Sequence, residues 1–232
     1  MDEIPHIIHY CWFGGKPLPE QYRKYIETWK KNFPDYKIIK WDENNFPIDQ
    51  YSYAKEAMQA GKMAFVSDVA RIYALYEYGG IYFDTDVEVI KDFTALLKGR
   101  KAVLGVEDEF KTMGTGFLAF TARHPICEEM LSYYQNNSFL TQSESMSNTQ
   151  ILASLVKKKY NIEIVNKVQT FDDLIIYPSG YFTAFDGFTG KTKIEIETCC
   201  IHHFSASWHK PTRRLKDGMK KRWHRILRMF RF

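Results

Sequence analysis

The chain has 232 residues, enough for one domain of moderate size with a substantial core. With 45% hydrophobic and 26% charged residues it has an ordinary soluble globular balance, and no stretch approaches transmembrane length. The formal net charge of +4 hides an asymmetry: ten Lys and Arg against one acid lie in 210–232, leaving 22 Lys and Arg against 27 Asp and Glu in the body.

In chain order, Met1-Asp2-Glu3-Ile4-Pro5 has neither a basic n-region nor a long apolar run, so no secretory signal is expected. Residues 4–13 read as a short buried strand, closed by the turn Gly14-Gly15-Lys16-Pro17. Residues 19–33 read as an amphipathic helix stopped by Pro34, and 36–41 as a second strand. A polar loop and a short helix over 53–61 follow. Val69, Ile72, Leu75 and Tyr76 recur at helical spacing, which predicts a long helix over 64–78 with one buried face. Gly79-Gly80 supplies its stop and turn. The hydrophobic strand that follows ends in Asp84-Thr85-Asp86, and 87–90 continue extended. Further strands are expected at 101–107, 114–120, 171–177 and 199–204, with helices at 125–135 and 149–159. The alternation argues for an α/β fold. No boundary interrupts 1–209, and 210–232 form a separate basic tail.

Cys11, Cys127, Cys199 and Cys200 contain no Cys-x-x-Cys, which excludes a zinc ribbon and suits a reduced compartment. Asp84 and Asp86 form the only Asp-x-Asp in the chain. In an extended backbone, residues i and i+2 project to the same side, so both carboxylates can converge on one hard cation. A divalent ion held by one or two carboxylates keeps positions open for substrate phosphate oxygens. In open α/β sheets such sites gather at carboxyl ends of strands. Asp68 and Arg71 share a face of the preceding helix. They are either a solvated ion pair or a sugar- and phosphate-binding pair, and their position before the acidic strand end favours the second.

The segment from Ile4 to Gly15 (IPHIIHYCWFGG), the block Ser67-Asp68-Val69-Ala70-Arg71 with 76–86 (YEYGGIYFDTD), and Ile201-His202-His203-Phe204-Ser205-Ala206-Ser207-Trp208 resemble three ordered blocks of one family. That family is the glycosyltransferases with the DXD sugar-binding motif, which includes capsular polysaccharide transferases, initiating α-mannosyltransferases and, distantly, clostridial glucosylating toxins. The resemblance implies a GT-A fold, a Rossmann-like mixed sheet flanked by helices. It also implies a nucleotide-sugar donor, Mn²⁺ or Mg²⁺, and retention at the anomeric carbon. Carried onto this chain, Trp12 stacks on the nucleotide base, Asp68 and Arg71 bind the donor sugar, and Asp84 reaches ribose and the metal. Asp86 is the main metal ligand. One of His202 and His203 completes the metal site, with His203 favoured. Ser207 and Trp208 close over the diphosphate, although Ala206 stands where relatives often carry Gly. Tyr82 touches the nucleotide or packs on the sheet. Thr115 and Gly116 lie near donor or acceptor. Asn148 and Gln150 line the acceptor side or begin a helix. Glu107 and Asp108 are conceivable nucleophiles, or a solvated turn.

The expected activity is therefore metal-dependent, retaining transfer of a hexose, by same-face attack, from a nucleotide sugar (UDP favoured). The expected acceptor is a capsular, lipopolysaccharide or lipid-linked oligosaccharide. Leu215, Met219, Trp223, Ile226 or Leu227, and Phe230 form an apolar stripe among the tail's cations. This predicts docking on an anionic membrane, and places the protein in the cytoplasm on the inner face of a bacterial membrane. Nucleic acid is not an expected partner. The alternative is a membrane- or nucleic-acid-binding protein on a catalytically silent scaffold.

Overall fold

The computed structural model describes residues 3–107, 112–140, 146–186 and 191–205. The basic tail lies outside them. The chain opens with β1 (Ile7–Cys11), α1 (Glu20–Asn32), β2 (Lys37–Trp41), α2 (Ser52–Gln59) and α3 (Met63–Tyr78). Next come β3 (Gly80–Phe83), β4 (Val87–Val89), α4 (Thr94–Leu97), β5 (Ala102–Val106) and β6 (Met113–Phe120). The last third holds α5 (Pro125–Asn136), α6 (Asn148–Tyr160), β7 (Gln169–Thr170), β8 (Leu174–Tyr177), α7 (Ser179–Phe182), β9 (Phe185–Asp186), β10 (Lys191–Thr192) and β11 (Cys200–His202).

Seven strands make one mixed sheet in the order β2-β1-β3-β6-β5-β8-β7. Strand β1 runs parallel to β2 and β3, β6 is antiparallel to both its neighbours, and β8 is parallel to β5. Period-two alternation divides the core between the two faces. Tyr82, Leu118, Phe120, Leu104 and Leu174 pack under α2, α3, α5 and α6. Ile81, Phe83, Phe117, Ala119, Val103 and Ile175 face Trp29 of α1, Phe33 at its C-terminal cap and Phe182 of α7. All four residues of β3 are buried, because both faces are covered. The four cysteines are free and buried.

The small sheet of β4 and β11 lies on the α1 side. Three bonds from α1 clip β4 in place: Trp29 Nε1 donates to the Val87 carbonyl at 2.8 Å, Thr28 Oγ1 accepts from Val89 N at 3.0 Å, and Asn32 Nδ2 donates to Val89 O at 3.2 Å. The exit of the acidic turn is thereby anchored to a helix. Its entry depends on glycine. Gly79 caps α3 at φ +65°, and a Cβ there would sit 2.6 Å from Ala122 N and 2.8 Å from Pro5 Cδ. At Gly80 a Cβ would collide with the Ile7 carbonyl, so the α3–β3 turn can pack against β1 only without side chains.

Several strands are shorter than expected: β1 is Ile7–Cys11 within the expected 4–13, and two late strands also differ in their pairing. Of residues 171–177 only Leu174–Tyr177 form a strand, β8; residues 171–173 are the turn that joins it to β7, its antiparallel partner. Residues 199–204 yield only Cys200–His202, and these pair with β4 rather than joining the main sheet. The chain turns out of extension at Phe204, whose φ is +46°.

His9 is buried in β1, with Nε2 2.8 Å from the Gly79 carbonyl and Nδ1 accepting from Trp41 Nε1 at 3.1 Å. These partners fix a neutral imidazole that donates through Nε2. Burial pushes His9 down to about 4, against the bond to Gly79. Burial also takes His124, the N-cap of α5, to about 4. Both folded values lie below the unfolded one, so the native state binds fewer protons than the unfolded chain in this window. Stability is therefore expected to fall as pH drops from 6.5 towards 4, by roughly 2–3 kcal/mol per histidine at pH 4.5. Urea melts at pH 7.5 and 4.5, on wild type and His124→Gln, measure this, and the variant should lose the smaller share.

Candidate active site

Asp84, Asp86 and His202 converge where β3 ends. One ligand atom from each lies within 4.8 Å of the others. The two carboxylates do not meet through strand pleating. The extended backbone stops at Phe83, and Val87 N donates to the Asp84 carbonyl at 3.0 Å to close a turn. Asp84 N donates to Gly116 O at 2.9 Å, which fastens the turn to β6. The Asp84 carboxylate accepts from the Tyr82 hydroxyl at 2.8 Å and lies 3.3 Å from Arg71 Nη1. Asp86 accepts from Ser205 N at 2.8 Å and faces His202 Nε2 at 3.3 Å.

His202 is seated by its surroundings. Its backbone N–H donates to the Thr183 carbonyl at 3.0 Å, and its ring stacks on Phe204 with centroids 4.0 Å apart. The opposite wall is Gly116, where a Cβ would lie 2.7 Å from His202 Cε1. Burial lowers the His202 pKa, but Asp86 outweighs it and the net direction is up. Burial pushes the Asp86 carboxyl up, but the imidazole and the Ser205 N–H outweigh it and the net direction is down. Both directions favour a protonated imidazole beside an ionised carboxylate. Two carboxylates and an imidazole suit Mn²⁺, and the carboxylates alone suit Mg²⁺.

Arg71 is 6% exposed, and each of its three nitrogens meets a protein oxygen. Its Nη2 meets Asp68 Oδ1 at 3.0 Å, Nη1 donates to the Thr115 carbonyl at 2.8 Å, and Nε donates to Ser67 O at 3.3 Å. The guanidinium also lies over the Tyr82 ring, 4.7 Å from its centroid. Burial lowers the Arg71 pKa, but Asp84, Tyr82 and Asp68 outweigh it and hold the cation charged. Burial raises Asp68, and Arg71, shared with a second carboxylate, only partly offsets this.

The expected site residues divide accordingly. Asp68, Arg71, Asp84 and Asp86 do form one cluster. Each Arg71 nitrogen already serves a protein oxygen, which makes the guanidinium the link between Asp68 and Asp84. Tyr82 is 1% exposed, so its side chain is shut off from a nucleotide and supports Asp84 instead. His203 points away from the acidic pair, stacking on Tyr25 at 4.5 Å and meeting Glu88 Oε2 at 2.9 Å. Neighbouring strand residues face opposite sides, and His202 holds the side facing Asp86. Trp12 lies half-buried in the turn after β1, edge-on to Tyr22, with Nε1 donating to Lys16 O at 2.6 Å. Ser207, Trp208 and Asp108 lie outside the described residues. Asn148 begins α6 and also reaches Asp68 Oδ1, at 3.2 Å. The sequence reading did not find the walls of the site, Phe204 and the imidazole-facing side of Gly116. A glycine inside a strand that packs under a histidine-bearing block is the signal that points to the latter.

Comparison with known proteins agrees with this geometry. Residues 19–108 match the family model described as "Glycosyltransferase sugar-binding region containing DXD motif". Inositol phosphoceramide mannosyltransferase 1 of Schizosaccharomyces pombe is 26% identical, over 54% of this chain and 41% of that protein. Mannosyl phosphorylinositol ceramide synthase SUR1 of Saccharomyces cerevisiae is 24% identical, over 94% of this chain and 55% of that protein. Mouse lactosylceramide 4-alpha-galactosyltransferase is 35% identical over 32% of this chain and 19% of that protein. The chain thus spans about half the length of the yeast relatives it matches. Among solved structures, the PaToxG glycosyltransferase superposes with a TM-score of 0.57 at 20% identity, covering 69% of this chain and 70% of that one. The fold is the GT-A fold expected from the sequence. The expected placement, in the cytoplasm on the inner face of a bacterial membrane, is overturned, because these curated relatives are eukaryotic. The basic tail on which that placement rested lies outside the described residues, and no described helix is long and apolar enough to cross a membrane.

Two outcomes are expected of the site itself. Gly116→Ala should weaken Mn²⁺ binding about tenfold or more, approaching His202→Ala, with unchanged secondary structure. Calorimetric titration with Mn²⁺ and circular dichroism check this. Because a cation must displace the His202 proton, and that proton is held above pH 6.5, Mn²⁺ affinity should rise from pH 6 to pH 8. The rise should vanish in His202→Gln.

Proposed function

We propose, for a chain that carries the DXD sugar-binding region of a glycosyltransferase family, that it transfers a hexose from a nucleotide sugar to a hydroxyl of a glycan or lipid-borne acceptor. The observation that carries this reading is the convergence of Asp84, Asp86 and His202 beside the Asp68–Arg71 pair. The names of the relatives join mannose or galactose to ceramide-based acceptors, which makes a ceramide glycolipid the acceptor class to test first.

Asp84, Asp86 and His202 would hold a divalent cation, which when bound would neutralise charge growing on a departing diphosphate. The protein's own part is placement. Arg71 fixes Asp68 and Asp84 relative to each other before any donor arrives, so little reorganisation accompanies reaction. Asp68 accepts hydroxyl protons of the donor sugar and so orients its ring. Trp12, half-buried in its turn, offers a flat face for the nucleotide base. One oxygen of the Asp68 carboxylate is held by two donors, which suits it to accepting hydrogen bonds rather than attacking carbon. This favours retention by same-face attack over a covalent intermediate on Asp68.

The test is a donor panel of UDP-glucose, UDP-galactose, an N-acetylhexosamine donor and GDP-mannose with Mn²⁺, read as nucleoside diphosphate release with and without a ceramide glycolipid. One donor should turn over, with loss on the order of 100-fold or more in Asp86→Ala and in EDTA. If no donor is bound or turned over with any acceptor, the reading fails and a catalytically silent scaffold takes its place.

A further inference from the structure

Asp68 is held from a direction that the metal-ligand set does not supply. Its Oδ1 takes two donors, Arg71 Nη2 at 3.0 Å and Asn148 Nδ2 at 3.2 Å. Among the described residues its Oδ2 takes no hydrogen bond. Asn148 is buried at the first position of α6, where the capping box of Ser147 and Gln150 fixes the backbone. Its far side is also occupied: the Tyr134 hydroxyl donates to Asn148 Oδ1 at 3.3 Å. Tyr134 sits on α5 at 1% exposure, its ring 5.0 Å from that of Tyr53.

The order of donors along this chain follows from chemistry. An ionised carboxylate only accepts, so the amide must turn its NH₂ to Asp68 and its carbonyl away. That carbonyl is then buried and requires a donor, which the phenol provides. Without the phenol, a buried acceptor is left unpaired, and the amide gains by turning or withdrawing. Among the described residues the Tyr134 hydroxyl makes no other hydrogen bond, and Phe would fill the same space.

We propose that Tyr134 and Asn148 are positioning residues for the sugar-binding carboxylate. Tyr134 locks the Asn148 amide, and Asn148 and Arg71 together hold one oxygen of Asp68. The other oxygen is left to accept from a hydroxyl of the donor sugar. The last step rests on the transferase reading above, whereas the hydrogen-bonded chain does not. The arrangement ties α5 and α6 to the sugar side of the site, separately from the groups at its diphosphate side.

The experiment combines side-chain amide spectra with donor kinetics on the full chain. In ¹⁵N–¹H spectra the Asn148 NH₂ pair, assigned by its loss in Asn148→Ala, should shift in both Tyr134→Phe and Asp68→Asn. With the donor identified by the panel, kcat/KM should fall roughly 3–10-fold in Tyr134→Phe and 10–100-fold in Asn148→Ala. Mn²⁺ affinity should stay within about twofold in both, which a general loss of fold would not allow. The double variant should be no worse than Asn148→Ala, because Tyr134 acts through the amide. An Asn148 resonance that stays in place in Tyr134→Phe, or losses that multiply in the double variant, would overturn the proposal. Amide shifts in both variants beside a wild type that processes no donor would instead support the hydrogen-bonded chain and overturn the transferase reading.

Discussion

One buried guanidinium organises the site. Arg71 is the cation between Asp68 and Asp84, and its remaining donors go to the carbonyls of Ser67 and Thr115. Burying a charge is costly unless it is paired and hydrogen-bonded. Here the pairing is met by two carboxylates of the candidate site. The planar fork suits this task better than an ammonium, since it can serve several oxygens in fixed directions. The Arg71 side chain also joins three elements: α3 that carries it, the turn after β3, and β6 through Thr115. The relative positions of Asp68 and Asp84 are therefore set by a bond network and not by loop conformation alone.

The rest of the fold serves that network. Strand β3 is buried on both faces, so its end is a fixed point. Gly79 and Gly80 allow α3 to turn straight into β3 against β1, which brings Asp68 and Arg71 alongside the strand end. The α1 clip on β4 holds the other side of the acidic turn, and β11 pairs with β4 to deliver His202. Thus the metal-ligand set depends on two sheets meeting at one turn. The His202 ring fits between Phe204 and Gly116 with no room for an added methyl group at the glycine.

Much of this was legible in the sequence because it is local. Helical periodicity over 64–78, the double glycine and the Asp-x-Asp pair lie within 23 residues of one another, and spacing suffices to place them. The α/β alternation likewise follows from short-range patterns. What spacing does not give is which face of a three-residue strand meets a turn over 100 residues earlier. His202 and His203 are equivalent until β11 is registered on β4, with His202 opposite Val87. The fate of Arg71 and Tyr82 is hidden for the same reason. Both types are as common at ligand surfaces as in buried networks, and only the packing of α3 on β3 and β6 shows that they face protein. Gly116 reads as room for a ligand but is room for an imidazole.

The network also explains why the two halves of the site are held by different means. At the acidic turn the charges balance locally, since Asp86 and His202 pair with each other and Asp84 with Arg71. A cation bound there would take over the role that the His202 and Arg71 partners play for these carboxylates. Asp68 has no such exchange available. Its neighbours Arg71, Asn148 and Tyr134 are fixed by helices, and burial already works against its charge. A carboxylate in that condition gains from a further hydroxyl donor, because an additional hydrogen bond favours its ionised form. On the proposed transferase reading, the acidic turn is the side that exchanges ligands and Asp68 the side that holds one oxygen acceptor still.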